Sequence, residues 1–255
     1  MKIQLLGCGN MGKIILKQLL STQDKKDIWV ETSSSNSKQE LYSEFGIQTW
    51  VYSEVDVVLL LIKPQQLWNI DFTVFDYSQS YVSFLAWTTT GQIEEITGSS
   101  SVLRIMPNMA LSVWEWLIGY YSKNLTNDFK FFLGLFNGVA KTIDCQNEEI
   151  IDNFTVLAGS GAAYYYYFAQ LLEKQAIEFG FWAEDSKNIT YDTFIGAAAI
   201  LRSEWSSLDS WIKDISSKWW VTEKVLGEFY AKGLNEVISA SLGSWLNHAK
   251  TFSKN

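Results

Sequence analysis

The sequence predicts an α/β chain: a doubly wound parallel sheet over residues 1–149, followed by an all-helical domain over residues 150–255. Three observations predict it. An apolar run at the start leads straight into Gly7-Cys8-Gly9-Asn10-Met11-Gly12. Short apolar runs then alternate with segments of helical spacing. After about Ile150 the strand signals largely disappear.

The first element, Met1-Lys2-Ile3-Gln4-Leu5-Leu6, reads as a buried strand. Ile14, Ile15, Leu16, Leu19 and Leu20 follow the glycines at helical spacing. Strand, glycine turn and helix in that order form a dinucleotide-binding pattern. The first glycine permits the turn, the second lets a pyrophosphate approach the backbone, and the third lets helix and strand pack closely. Free N–H groups at the helix start favour a phosphate. The domain is thus read as a Rossmann domain. Ile28-Trp29-Val30 is the second strand. Val55 to Ile62 is almost continuously apolar, as for a strand buried on both faces. Tyr81–Ala86 and Val102–Met106 are two more. Ligands on such sheets bind beyond the carboxyl ends of the strands. The segments to search are therefore Gly7–Gly12, Glu31–Asn36, Lys63-Pro64, Trp87-Thr88 and Pro107-Asn108.

In the second half, helices are expected over Ala162–Phe179, Tyr191–Ser203 and Thr222–Lys250. Tyr164, Tyr167, Phe168, Leu171 and Leu172 share one face of the first. These helices are too apolar for a small isolated domain, which points to a subunit interface. The run Tyr164–Tyr167 is read as core or interface packing, not as a site.

Composition narrows the function classes. The chain has 255 residues, 47% apolar and 19% charged, which is the composition of a globular protein. A net charge of −8 argues against a broad nucleic-acid surface. No apolar run is long enough to span a membrane, and no signal peptide is expected at the N-terminus. Cys8 and Cys145 do not make a disulfide framework, so a reducing cytoplasm is expected. A single histidine, His248, is read as a surface residue, and no zinc or other metal site is expected. Tryptophan occurs 12 times, as often as tyrosine, which is unusual.

Five segments in order carry a resemblance to the pyrroline-5-carboxylate reductase family. They are Gly7-Cys8-Gly9-Asn10-Met11-Gly12-Lys13, Ile62-Lys63-Pro64, Arg104-Ile105-Met106-Pro107-Asn108, Ala158-Gly159-Ser160-Gly161-Ala162-Ala163-Tyr164 and Ser217-Lys218-Trp219-Trp220-Val221-Thr222. The resemblance runs nearly end to end. It implies a Rossmann domain, a helical domain that interleaves with its partner in a homodimer or higher homo-oligomer, and hydride transfer from NADPH, or NADH, to the imine carbon of 1-pyrroline-5-carboxylate. It places Thr222 as the catalytic hydroxyl near the ring nitrogen. Ser160, Ser217, Trp219, Trp220, Val221 and Thr222 fall at the substrate. Gly7, Gly9, Asn10, Met11, Gly12, Ser33, Ser34, Ser35, Asn36, Ile62, Lys63, Pro64, Ala86, Trp87 and Asn108 fall at the cofactor. A hydride donor removes the need for a protein nucleophile, so the lack of a catalytic histidine fits. Beyond the second strand, the serines and Lys38 suit a 2′-phosphate, whereas Glu31 suits a ribose 2′-hydroxyl. The serines and the resemblance favour NADP.

The departures from the family pattern share a direction. Trp219 and Trp220 stand where the family has two adjacent glycines, and Trp87 follows Ala86 where the family has Ala-Gly. Trp114 and Trp116 flank Glu115 where the family has Gly-Glu-Gly, and Trp205 falls near a further glycine. Either the chain is a diverged, inactive relative, or the gene's UGA codons encode glycine and have been read as tryptophan. Divergence has no reason to choose tryptophan each time, so the pattern favours the codon reading. Ala162 and Lys218, where the family has proline, are ordinary divergence. Two other functions compete. One is a non-catalytic dinucleotide-binding sensor with a tryptophan-blocked substrate loop. The other is a two-domain hydroxy-acid dehydrogenase, for which Lys174 would be the available acid/base.

Overall fold

The structure, a computed structural model, describes residues 1–108, 116–203, 207–216 and 221–252. Seven strands form one sheet: β1 (Ile3–Leu6), β2 (Ile28–Glu31), β3 (Val57–Leu60), β4 (Ser80–Ser83), β5 (Val102–Pro107), β6 (Trp116–Tyr121) and β7 (Ala140–Asp144). Their order is β2-β1-β3-β4-β5-β6-β7. The chain leaves β1 for β2 on one side and returns to β3 on the other. That reversal opens a crevice beyond the carboxyl ends of β1 and β3, the place where doubly wound sheets hold ligands.

Side-chain alternation accounts for the two faces. Val57 and Leu59 of β3 join Ile3, Leu5, Val82 and Leu103 in one buried cluster. Ile15, Leu16 and Leu19 of α1 (Asn10–Thr22), Leu41 of α2 (Ser35–Phe45) and Phe129 and Phe132 of α4 (Asn127–Gly134) complete that cluster. Val58 and Leu60 point to the opposite face, with Tyr81, Phe72 and Ile93 of α3 (Thr90–Thr97). Both faces of β3 are covered, which is why its sequence is apolar without alternation.

The sheet is not wholly parallel. β5 and β6 pair antiparallel, with Arg104 opposite Tyr121 and Pro107 opposite Ile118. The other pairings are parallel. β7 is an edge strand with four exposed positions in Ala140–Asp144, so it carries little apolar signal.

The chain forms two compact units, Met1–Ala162 and Ala163–Trp245, the last turns of the final helix from Leu246 counting with the first. The change in sequence character at 149/150 precedes this division. Ile151 and Phe154 of α5 (Glu148–Phe154) are buried with Met106 and Cys145 against the sheet, so α5 stays with the first unit.

The second unit is built from α6 (Gly161–Glu178), α7 (Ala183–Ser203), α8 (Leu208–Ile215), α9 (Val221–Ala231) and most of α10 (Leu234–Phe252). The expected single helix over Thr222–Lys250 is two helices, broken at Gly233, whose φ of 75° is left-handed. α7 begins eight residues before Tyr191, at Ala183. Tyr164–Tyr167 are 43% to 73% exposed within the single chain, so they are not core residues of one protomer. Among the described residues no helix is long and apolar enough to cross a membrane, and no cluster of potential metal ligands occurs. The side chain of His248 lies outside the described residues.

Candidate functional site

The glycine turn joins the ends of three strands. Gly7 has φ 93°, and a Cβ there would sit 2.7 Å from the Leu61 carbonyl oxygen, so a side chain is excluded both by conformation and by space. Its N–H donates to the Glu31 carbonyl at 2.8 Å, which ties the turn to β2. Beside Gly9 a Cβ would meet nothing within 4 Å, and no side chain caps α1 there. A Cβ at Gly12 would lie 3.2 Å from the Gly7 carbonyl oxygen. Open space at Gly9 next to uncapped helical N–H groups fits the pyrophosphate of a dinucleotide. Asn10 is exposed at the start of α1, and Met11 packs partly onto the core.

The ends of the other strands are arranged around this turn. Glu31 ends β2, and both its carboxylate oxygens accept from Lys38 Nζ, at 2.7 and 3.0 Å. Ser34 Oγ accepts from the Ser37 N–H as the N-cap of α2. Ser33, Ser35 and Asn36 are exposed beside it. After β3, Ile62 packs against the second buried cluster. Lys63 and Pro64 lead into a short helical turn over Pro64–Asn69, where the Lys63 N–H donates to Gln66 Oε1 at 3.1 Å. A cavity of about 440 Å³ lies between this turn and α3, lined by Pro64, Leu67, Trp68, Ala86, Trp87 and Thr88 among others.

Trp87 adopts φ 62°, one of two non-glycine residues with positive φ among the described residues. That backbone region is costly for a bulky side chain and free for glycine. Trp29 shows what a well-placed tryptophan looks like in the same fold. It is 6% exposed, stacks on Tyr52 with ring centroids 4.3 Å apart, and donates from Nε1 to Gln48 at 3.0 Å.

At the end of β5, Asn108 makes two bonds to Leu117, its N–H donating to the carbonyl at 2.9 Å and its Oδ1 accepting from the N–H at 3.1 Å. Its side-chain oxygen is thereby engaged in the sheet. Ser160 is exposed at the end of the wide turn Thr155–Gly159, where its N–H donates to the Thr155 carbonyl at 3.0 Å. Val221 and Thr222 open α9, Val221 exposed and Thr222 half-buried. Ser217, Trp219 and Trp220 lie outside the described residues, as do Trp114, Trp205 and the side chain of Trp116. Lys174 is exposed on α6.

One cluster was not recognised as such in the sequence. Arg104 is 1% exposed in the middle of β5. Its Nη1 bonds Glu148 Oε2, and its Nη2 donates to Asp152 Oδ1 at 2.8 Å. Glu148 Oε1 also accepts from the Thr90 N–H and hydroxyl, each at 2.7 Å. The network fastens β5 to α5 and to the start of α3. An arginine inside an apolar strand signals such a network, because a buried charge requires partners. The identity of the partners is not readable from sequence.

Both cysteines are free and buried. Burial pushes the Cys8 thiol up to about 11, only partly offset by Lys13. Burial also raises Cys145. Both thiols are therefore protonated at neutral pH and shielded. A thiol-reactive probe at pH 8 is expected to modify neither residue in the native protein and both after unfolding. Rapid labelling of the native state would contradict the placement of Cys8 inside the glycine turn.

Comparison with known proteins agrees with this geometry. Residues 148–252 match the family model described as pyrroline-5-carboxylate reductase dimerisation. Residues 2–74 match the one described as NADP oxidoreductase, coenzyme F420-dependent. The pyrroline-5-carboxylate reductase of Vibrio alginolyticus is 25% identical over 99% of this chain and 98% of its own. The solved 1-pyrroline-5-carboxylate reductase of Streptococcus pyogenes superposes with a TM-score of 0.85 at 26% identity, covering 98% of each chain. The pyrroline-5-carboxylate reductase of Coxiella burnetii gives 0.86 at 25% identity, covering 100% of this chain and 99% of that one. Two domain matches in the right order, and pyrroline-5-carboxylate reductases similar along the whole length, all indicate the pyrroline-5-carboxylate reductase family.

Proposed function

We propose that this protein reduces 1-pyrroline-5-carboxylate to L-proline with NADPH, and with NADH as a second donor. The reading is carried by one observation: a dinucleotide-type glycine turn, open at Gly9, in a chain that matches reductases of this name from end to end. The reduced nicotinamide, when bound, supplies a hydride to the imine carbon, and the ring nitrogen takes one proton. The chain's task is to bind, orient and protonate.

In this reading Gly7, Gly9, Asn10, Met11 and Gly12 hold the pyrophosphate through backbone N–H groups. Ser33, Ser34, Ser35, Asn36 and Lys38 lie at the adenosine ribose. Ile62, Lys63, Pro64, Ala86, residue 87 and Asn108 flank the nicotinamide half. Ser160 and residues 217 to 222 receive the substrate, with backbone N–H groups on its carboxylate. The Thr222 hydroxyl is the hydrogen-bond partner or proton donor of the ring nitrogen. The exposed apolar faces of α6 and α7 support a homodimer or higher homo-oligomer formed through the C-terminal helices. The buried free thiols suit a reducing cytoplasm.

The test is oxidation of NADPH by protein from its native source, first with 1-pyrroline-5-carboxylate and then with keto acids. Turnover with the imine alone is expected. Turnover with keto acids alone would instead support a hydroxy-acid dehydrogenase. Tight NADPH binding without any turnover, in a protein whose tryptophans are confirmed, would support a sensor. Thr222→Val is expected to lower kcat about tenfold or more, the worth of one charge-assisted hydrogen bond, with NADPH affinity unchanged. An unaltered kcat would remove Thr222 from the mechanism.

A further inference from the structure

We propose that Arg104 is a positioning residue for the reduction. Through two carboxylates of α5 it holds the wide turn that presents Ser160 in register with the segment around residue 87, which flanks the nicotinamide. The proposal rests on the reductase reading above and adds to it a residue that touches neither ligand there. Arg104 is 1% exposed, on the middle of β5.

Glu148 and Asp152 stand one turn apart on α5, so their side chains share one side of the helix. Arg104 bonds Glu148 through Nη1 and Asp152 through Nη2. A single ion pair would leave the helix free to turn about its axis. Two contacts a turn apart, made by one planar guanidinium, fix both its rotation and its height along β5. The helix runs directly into the wide turn Thr155–Gly159. There the Ser160 N–H reaches back five residues to the Thr155 carbonyl, a rare pattern that is frequent at functional sites. Thr155 is itself tied to α5, its hydroxyl donating to the Ile151 carbonyl at 2.8 Å. A rotation of α5 therefore moves Ser160.

The same network reaches the other side of the site. Glu148 Oε1 accepts both the N–H and the hydroxyl of Thr90, the buried first residue of α3, which closely follows residue 87. Apolar packing runs along the same lines. Ala86 and Ala158 both pack against the cluster of Met106, Cys145, Ile151 and Phe154. A Cβ on Gly159 would stand 3.6 Å from Met106 Cγ, so the backbone of the wide turn rests on the end of β5. Apolar contacts are non-directional and let such segments slide. Charge-assisted hydrogen bonds are directional and make the spacing definite. Hydride transfer is sensitive to that spacing, since a misplacement of about 1 Å costs about 10²-fold in rate.

Arg104→Lys and Thr90→Val test this in the whole protein, well below the melting midpoint of each variant. The lysine keeps the charge and loses the fork. The valine removes one of the two donors to Glu148 and leaves both arginine pairs in place. Turnover of 1-pyrroline-5-carboxylate is expected to fall about 10²-fold in the first and about tenfold in the second, with NADPH affinity unchanged. NADPH deuterated at the transferred position should then show a full primary isotope effect on kcat, because the misaligned hydride step has become the slow one. In the ligand-free protein, amide hydrogen exchange over residues 155–160 and 87–90 should quicken in Arg104→Lys while that of α1 stays as it was. A residue that only stabilises the fold would lower the melting temperature and leave kcat of the folded protein unchanged. That result overturns this proposal and leaves the reductase reading intact, as does a fall in kcat without a primary isotope effect. No turnover of the imine by the unsubstituted native protein overturns both.

Discussion

Restoring glycine at positions 87, 114, 116, 205, 219 and 220 is expected to raise turnover of 1-pyrroline-5-carboxylate by at least about 10²-fold over the chain with tryptophan there, a size set by the cost of misplacing reacting groups by an ångström. Residue 87 carries the structural part of the argument. Its φ of 62° belongs to glycine, and it lines the cavity between the turn at Pro64 and the start of α3. Holding a bulky residue in that region costs about 1–3 kcal/mol. Trp87→Gly alone should therefore raise the melting temperature by about 2–6 °C, even after the entropy of a new glycine is counted. Positions 219 and 220 carry the functional part. They fall in the expected substrate loop, where two indole rings would occupy the space of a five-membered ring and its carboxylate. Trp29 is the control, because burial, stacking and a hydrogen bond all favour tryptophan there. Trp29→Gly should destabilise as strongly as any core truncation, by about 3–5 kcal/mol. The gene decides the origin of the residues. UGA at codons 87, 114, 116, 219 and 220, or a native mass lighter by the tryptophan-to-glycine difference at each, is expected. UGG at those codons would sink the codon reading, and equal turnover by the two proteins would sink the steric one.

Arg104→Met is expected to cost about 3–5 kcal/mol, which lowers the melting temperature by roughly 10 °C in a chain of this size. The cost arises from what stays behind. Glu148 and Asp152 lose the cation that neutralises them, while Glu148 remains tied to Thr90. Substituting the three charges together, R104M with E148Q and D152N, should recover more than half of the loss, because no unpaired charge remains. R104K should fall between, since an ammonium cannot reproduce the guanidinium fork to two carboxylates. A cost of R104M below about 1 kcal/mol would show that the network contributes little; the value of a buried pair against an apolar replacement is often near zero. Denaturant midpoints for the four proteins separate these cases.

The legible part of the protein is the part governed by local rules. Period and burial marked β1 to β5, because a strand covered on both faces must be apolar throughout, as Val57–Leu60 is. The glycine turn was readable because its spacing answers to backbone conformation and to close approach, both properties of residues adjacent in the chain. β6 and β7 were not readable in the same way. Gly119 interrupts the first, where a Cβ would strike the Phe154 ring at 2.7 Å, and β7 is an exposed edge. The break at Gly233 divided a helical pattern that looked continuous, because one left-handed residue ends a helix without altering the apolar spacing around it.

By itself, the sequence determined the α/β class and the glycine turn and pointed to the family, through periodicity and through motifs held at short range. Only the tertiary structure decided that β6 runs antiparallel to β5, that Arg104 meets carboxylates 44 and 48 residues away, that Lys38 covers Glu31, and that residue 87 stands in a glycine conformation. The reason is physical. Pairing direction, charge partners and backbone strain depend on which distant segments pack together, and no single stretch of chain contains both halves of such a contact.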